Sequence, residues 1–108
     1  MDRHKEIDIC GMAIDHFGMD KQVKKSVEEL TELSLELIRD LSGRGNRKKI
    51  IDEMVDVEIM LSQLKRMYLP SHTDFEEFNE RWMFKLNRLK NNIESERNAV
   101  DNDSPQSE

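Results

Sequence analysis

The residue that most restricts this chain is Glu53. It stands in the run NRKKIIDEMVDVEIMLSQLKRMY (46–68), whose apolar residues recur at helical spacing. At about 100° per residue, Val57, Leu61, Ile50, Leu64, Met54 and Met60 share one side with Glu53. Asp56 lies at the edge of that stripe, near Lys49. A carboxylate carried into a packed helix face must be protonated, paired or bound to a cation, because an unpaired buried charge is very costly. Any fold of this chain has to bring Glu53 a partner.

A second acidic helix precedes it, in KKSVEELTELSLELIRD (24–40). Glu28, Glu29, Glu32 and Glu36 fall on one side of it together with Lys25. Leu30, Leu33, Leu37, Ile38, Leu41 and Val27 fall on the other. Like charges at i,i+4 repel by about 0.2–0.5 kcal/mol per pair, and a merely solvated face more usually alternates Lys with Glu. Two helices that each present carboxylates at i,i+3 can supply a cage of four oxygens, and oxygen-only ligation suits Mg²⁺ or Mn²⁺. From spacing alone, salt bridges of these acids to Lys or Arg remain the competing reading.

The flanking residues punctuate a helical chain. Residues 4–17 read as a first helix, with Ile7, Cys10, Ile14 and Phe17 on one face. Gly18 stops it, and Asp20 is the expected N-cap of a second helix over 21–41. The turn Ser42-Gly43-Arg44-Gly45 matches no phosphate-binding glycine motif and reads as helix punctuation. Asn46 caps the third helix, which ends at Tyr68-Leu69-Pro70. After a short linker, Asp74 is the expected cap of a last helix over 75–96. There Phe75, Phe78, Trp82, Leu86, Leu89 and Ile93 form a packing stripe, with Trp82 in the core. The segment 97–108 is polar and aperiodic and reads as a disordered tail.

The expected fold is therefore all-α: one domain over 1–96, an antiparallel bundle of about four helices. The third helix carries a second apolar strip, Ile51, Val55 and Ile59, opposite the Val57 side. A helix apolar on two faces is central in its bundle. A chain of 108 residues offers few partners for both faces, so the bundle is expected to be completed by oligomerisation, as a homodimer or homotetramer.

Charge and cysteine usage exclude several classes. The net charge of −6 opposes nonspecific nucleic-acid binding, which needs a basic face. The single cysteine, Cys10, permits no internal disulfide and sits at a packed position. No signal peptide is visible, and no apolar run approaches the ~20 residues of a membrane span. A cytoplasmic setting without a membrane partner is the simple expectation.

The ordered pair EELTE (28–32) and EMVD (53–56) resembles the E-E-x-x-E and E-x-x-D signature of the MazG-like, all-α nucleoside triphosphate pyrophosphohydrolases. The flanks VEELTEL and DEMVDVEIMLSQL resemble that family's two metal helices, particularly in short phage-type members. The resemblance covers residues 15–69, with a looser match at KLNRL (85–89). It implies hydrolysis of (deoxy)nucleoside triphosphates to monophosphate and pyrophosphate, dependent on Mg²⁺ (or Mn²⁺), as nucleotide-pool housekeeping. It implies Glu29, Glu32, Glu53 and Asp56 as metal ligands, with Glu28 beside them in the catalytic set and Glu36 adjacent. Lys85, and by extension Arg88, would approach the substrate phosphates, and Lys49 is a further phosphate candidate. His16, Phe17, Gln22 and Trp82 are candidates for the base pocket. Members act on dUTP, dCTP, canonical or damaged nucleotides, and nothing in this sequence chooses among them. The alternative function is a non-catalytic helical interaction or nucleotide-sensing module with a vestigial metal site.

Overall fold

A computed structural model describes residues 3–103. Four α-helices account for it, with no strand among the described residues: α1 (Arg3–Phe17), α2 (Met19–Leu41), α3 (Arg47–Tyr68) and α4 (His72–Asp103). The chain divides into two compact units, Met1–Pro70 and Ser71–Glu108. No described helix is long and apolar enough to cross a membrane.

In the first unit, local chemistry sets each helix end. Gly18, at φ 89°, is the single residue between α1 and α2 and the N-cap of α2. The expected cap, Asp20, instead lies in the first turn, where a carboxylate favours the positive end of the helix dipole. α2 closes in a Schellman arrangement: Gly43, at φ 82°, donates to Asp40 O, and Arg44 donates to Arg39 O at 2.9 Å. Gly45 follows because a Cβ there would stand 2.8 Å from the Asp40 Cα. Asn46 caps α3 as expected, its side chain accepting from the Lys49 backbone N–H at 3.2 Å.

The five-residue connection 42–46 folds α3 back along α2. Gln22 meets Gln63 across the pair, its amide donating at 2.6 Å. Seven residues further along α2, Glu29 meets Asp56, seven residues back along α3. An equal and opposite step on the two helices is an antiparallel register. The buried seam of α2 is polar throughout: Gln22, Ser26, Glu29 and Glu36. Ser26 satisfies its hydroxyl on the Gln22 carbonyl at 2.8 Å. Against that seam α3 buries Val57, Met60 and Gln63. α1 packs on both helices, with Cys10 and Gly11 buried. A Cβ on Gly11 would lie 2.9 Å from the Arg66 guanidinium, the movable end of a long side chain.

The interior is therefore unusual. Among the described residues, the buried apolar side chains are Cys10, Val57 and Met60 alone, while Ile51, Val55, Ile59, Leu30, Leu37 and Ile38 are exposed. The second apolar strip of the third helix exists, and it faces outward.

The second unit is the helix α4. It begins at His72, three residues before the sequence expectation. Asp74 is not its N-cap. Ser71 and Asp74 form a reciprocal box: the Asp74 N–H donates to Ser71 Oγ at 3.1 Å, and Asp74 Oδ2 accepts from the Ser71 backbone N–H, also at 3.1 Å. The helix continues through Asp103, so residues 97–103 of the expected tail are helical, and 104–108 lie outside the described residues. Trp82 stacks on Phe78 with ring centroids 6.5 Å apart. It was expected in the core, yet it is 57% exposed, and Leu86, Leu89 and Ile93 are exposed with it.

Candidate metal centre

The antiparallel register carries acids of α2 and α3 to one place. Glu29, Glu53 and Asp56 each offer a carboxylate oxygen, and the three oxygens lie within 4.8 Å of one another. Glu29 is buried, and Glu53 and Asp56 are half-buried. Glu29 Oε2 and Glu53 Oε2 are both enclosed with no donor to satisfy them, and Glu29 stands close enough to Glu53 and to Asp56 to share a proton with either. Buried carboxylate oxygens are normally satisfied. Two orphaned ones, side by side with a third acid, are what a hard cation would complete.

The electrostatics agree. The Glu53 carboxyl is pushed up to about 7, first by burial and then by the negative charges of Glu32, Glu29 and Asp56. Asp56 is raised too, by burial and then by Glu29. Like charges at this separation hold a proton between them unless a cation takes its place. One cation is already close: Lys25 Nζ lies 3.1 Å from Glu29 Oε1 and 3.5 Å from Glu28 Oε2. This pairing raises the Lys25 pKa, chiefly through the hydrogen bond to Glu29.

The other candidates fall around this centre. Glu32 is half-buried and stands outside the triad of mutually close oxygens, near enough to be the strongest charge acting on Glu53. Glu28 is exposed and paired with Lys25. Glu36 is buried and taken by Arg39 one turn along α2, which removes it from the ligand set. Lys49 is exposed, at the start of α3. Lys85 and Arg88 belong to α4, where Arg88 lies 5.9 Å over the Phe84 ring and Arg81 lies 4.8 Å over it.

A groove of about 510 Å³ is lined by Phe17 and Ala13 of α1, Gln22, Glu28 and the lysines 21, 24 and 25 of α2, and Met60 and Gln63 of α3; Lys25, in its wall, joins it to Glu29 of the acid cluster. Phe17 and Gln22 were base-pocket candidates. His16 stands edge-on to Phe17 at 4.7 Å, and Trp82 lies in the other unit. The sequence reading set Lys25 on the acid face without giving it a role, and it missed Gln63. Lys25 had a visible signal, its i,i+4 spacing to Glu29. Gln63 had none, because its place depends on the register of two helices.

Comparison with protein-family models, with curated proteins and with solved structures gives no match for this chain.

Proposed function

We propose that the chain is a divalent-metal-dependent nucleoside triphosphate pyrophosphohydrolase of the MazG-like, all-α kind. The observation that carries this reading is the pair of enclosed, partnerless oxygens on Glu29 and Glu53, within reach of Asp56. The signature segments EELTE and EMVD supply these three acids in the expected order. Glu29, Glu53 and Asp56 would hold Mg²⁺ or Mn²⁺, and Glu32 would complete the set as the neighbouring charge. The bound cation would neutralise phosphate oxygens and lower the pKa of a water.

The chain's own groups do the rest. With its carboxyl raised to about 7, Glu53 is partly protonated near neutral pH in the empty site, so loading is coupled to proton release. Glu28, outside the triad and held only by the exposed ion pair with Lys25, would orient or deprotonate a nucleophilic water. The lysines of the groove offset the charge of a polyphosphate, while Phe17 and Met60 offer an apolar wall to the base.

The exposed apolar residues of α2, α3 and α4 support a homo-oligomer, since contiguous apolar patches on soluble chains mark association surfaces. The same exposure favours the second reading, a non-catalytic helical interaction module. A panel of nucleoside triphosphates assayed with Mg²⁺ for monophosphate and pyrophosphate separates the two. Equimolar release of both products from at least one nucleotide is expected. No product from any of them, with the chain folded and assembled, leaves the interaction module.

A further inference from the structure

We propose that Lys25 is an exchangeable counter-ion: it pairs with Glu29 when no divalent cation is bound, and turns to a polyphosphate anion in the adjoining groove when a cation takes Glu29. The inference rests on the reading of the acids as a cation site. It goes beyond that reading by assigning the anion-binding group and a coupling between the two ligands.

Three observations meet in this residue. First, the two oxygens of Glu29 are divided. Oε1 is held by Lys25 at 3.1 Å, and Oε2 is enclosed without a partner, in a residue only 7% exposed. A divalent ion among Glu29, Glu53 and Asp56 would stand beside the ammonium, and two cations on one carboxylate repel. Second, Lys25 has somewhere to go. Its side chain is 49% exposed, and it forms part of the groove wall with Lys21, Lys24, Glu28, Phe17 and Met60. Three ammonium groups against one carboxylate suit an anion there, and charge-assisted contacts to phosphate are the strong ones. Third, the other acid on Lys25, Glu28 at 3.5 Å, is exposed, so it holds the ammonium weakly against a competing phosphate.

Cation and anion then help each other. The cation releases Lys25 to the anion, and the anion removes a positive charge from the cation's site, so each raises the affinity of the other by the same factor. A merely structural ion pair could compete with the cation but would not link the two ligands.

The test uses the full chain, with Mn²⁺ and inorganic pyrophosphate as probes in titration calorimetry. In Lys25→Met, Mn²⁺ alone should bind tighter by roughly two- to fivefold, the equivalent of a part-exposed ion pair. Pyrophosphate binding at saturating Mn²⁺ should weaken by about tenfold, the equivalent of a charged hydrogen bond. Lys25→Arg should keep wild-type values for both, which covers the case of a methionine variant that does not fold. Lys24→Met, which removes a groove lysine with no ion pair among the described residues, should leave Mn²⁺ affinity unchanged. Unchanged or weaker Mn²⁺ binding in Lys25→Met, with wild-type binding intact, overturns the counter-ion role. Tighter Mn²⁺ with unaltered pyrophosphate binding overturns the transfer to the anion. A wild-type chain that binds no Mn²⁺ overturns the cation site itself and this inference with it.

Discussion

At the scale of single residues, Glu53 decides most. Its carboxyl titrates near 7 in the folded chain, against an ordinary value of 4.5. The folded state therefore holds this proton more tightly than the unfolded chain does. That contribution to stability is complete below the unfolded value and is lost as pH rises through 7. The metal-free protein should melt at progressively lower temperature between about pH 5 and 8, and Mg²⁺ should flatten the profile. Glu53→Gln, which mimics the protonated acid, should lessen the fall. A steeper fall in the variant than in the wild type would contradict this account. The same substitution should cut Mg²⁺-dependent pyrophosphate release roughly a hundredfold or more, since groups that only orient metal ligands are already worth about 10- to 100-fold. Far-UV circular dichroism should stay at the wild-type level. Full activity in Glu53→Gln would mean that the site lies elsewhere.

At the scale of elements, helix ends and register place the acids. The left-handed conformation of Gly43 turns the chain from α2 to α3. Gly43→Ala should cost about 1–2 kcal/mol, the penalty of a Cβ in that conformation, read as a shift in the urea midpoint. Ser71→Ala, which opens the reciprocal box at the start of α4, should cost about 1 kcal/mol of helix stability, while α2 and α3 keep their hydrogen-exchange protection. This is also where sequence reading succeeds and fails. Asn46 was legible as a cap because its side chain acts within its own turn. Asp74 reads from sequence as the cap and Ser71 as linker, whereas α4 begins right after Ser71 and the two residues bond each other reciprocally, which spacing alone does not show. The triad was half legible: spacing puts Glu53 and Asp56 on one helix face, but only the antiparallel register brings Glu29 to them, while Glu36 is taken locally by Arg39 at i,i+3. Gln22 and Gln63, 41 residues apart in sequence, carry no local signal of meeting.

At the scale of the whole molecule, the polarity of the first unit is inverted. Its helix seam buries glutamines and glutamates, while Val27, Leu30, Ile38, Ile51, Val55 and Ile59 are exposed. Hydrophobic periodicity revealed the helices and the two-sided character of α3. It did not reveal which faces stay uncovered, because periodicity states that a stripe will be buried and not by which partner. The expected packing stripe of α4 met the same limit: the spacing is there, and Trp82 at its centre is exposed. Sedimentation equilibrium should find an assembly larger than one chain. Val55→Glu, a charge set into the outward strip of α3, should shift it toward the monomer while the helices persist. A stable wild-type monomer at micromolar concentration would contradict association through these faces.

Convergence of acids from α2 and α3 on one divalent ion can be seen in crystals soaked in Mn²⁺ and measured at the manganese absorption edge. One or more anomalous peaks are expected within roughly 2.3 Å of oxygens from Glu29, Glu53 and Asp56, with Lys25 turned away from Glu29. A map with no peak among these three residues, and Lys25 still bonded to Glu29, would contradict it.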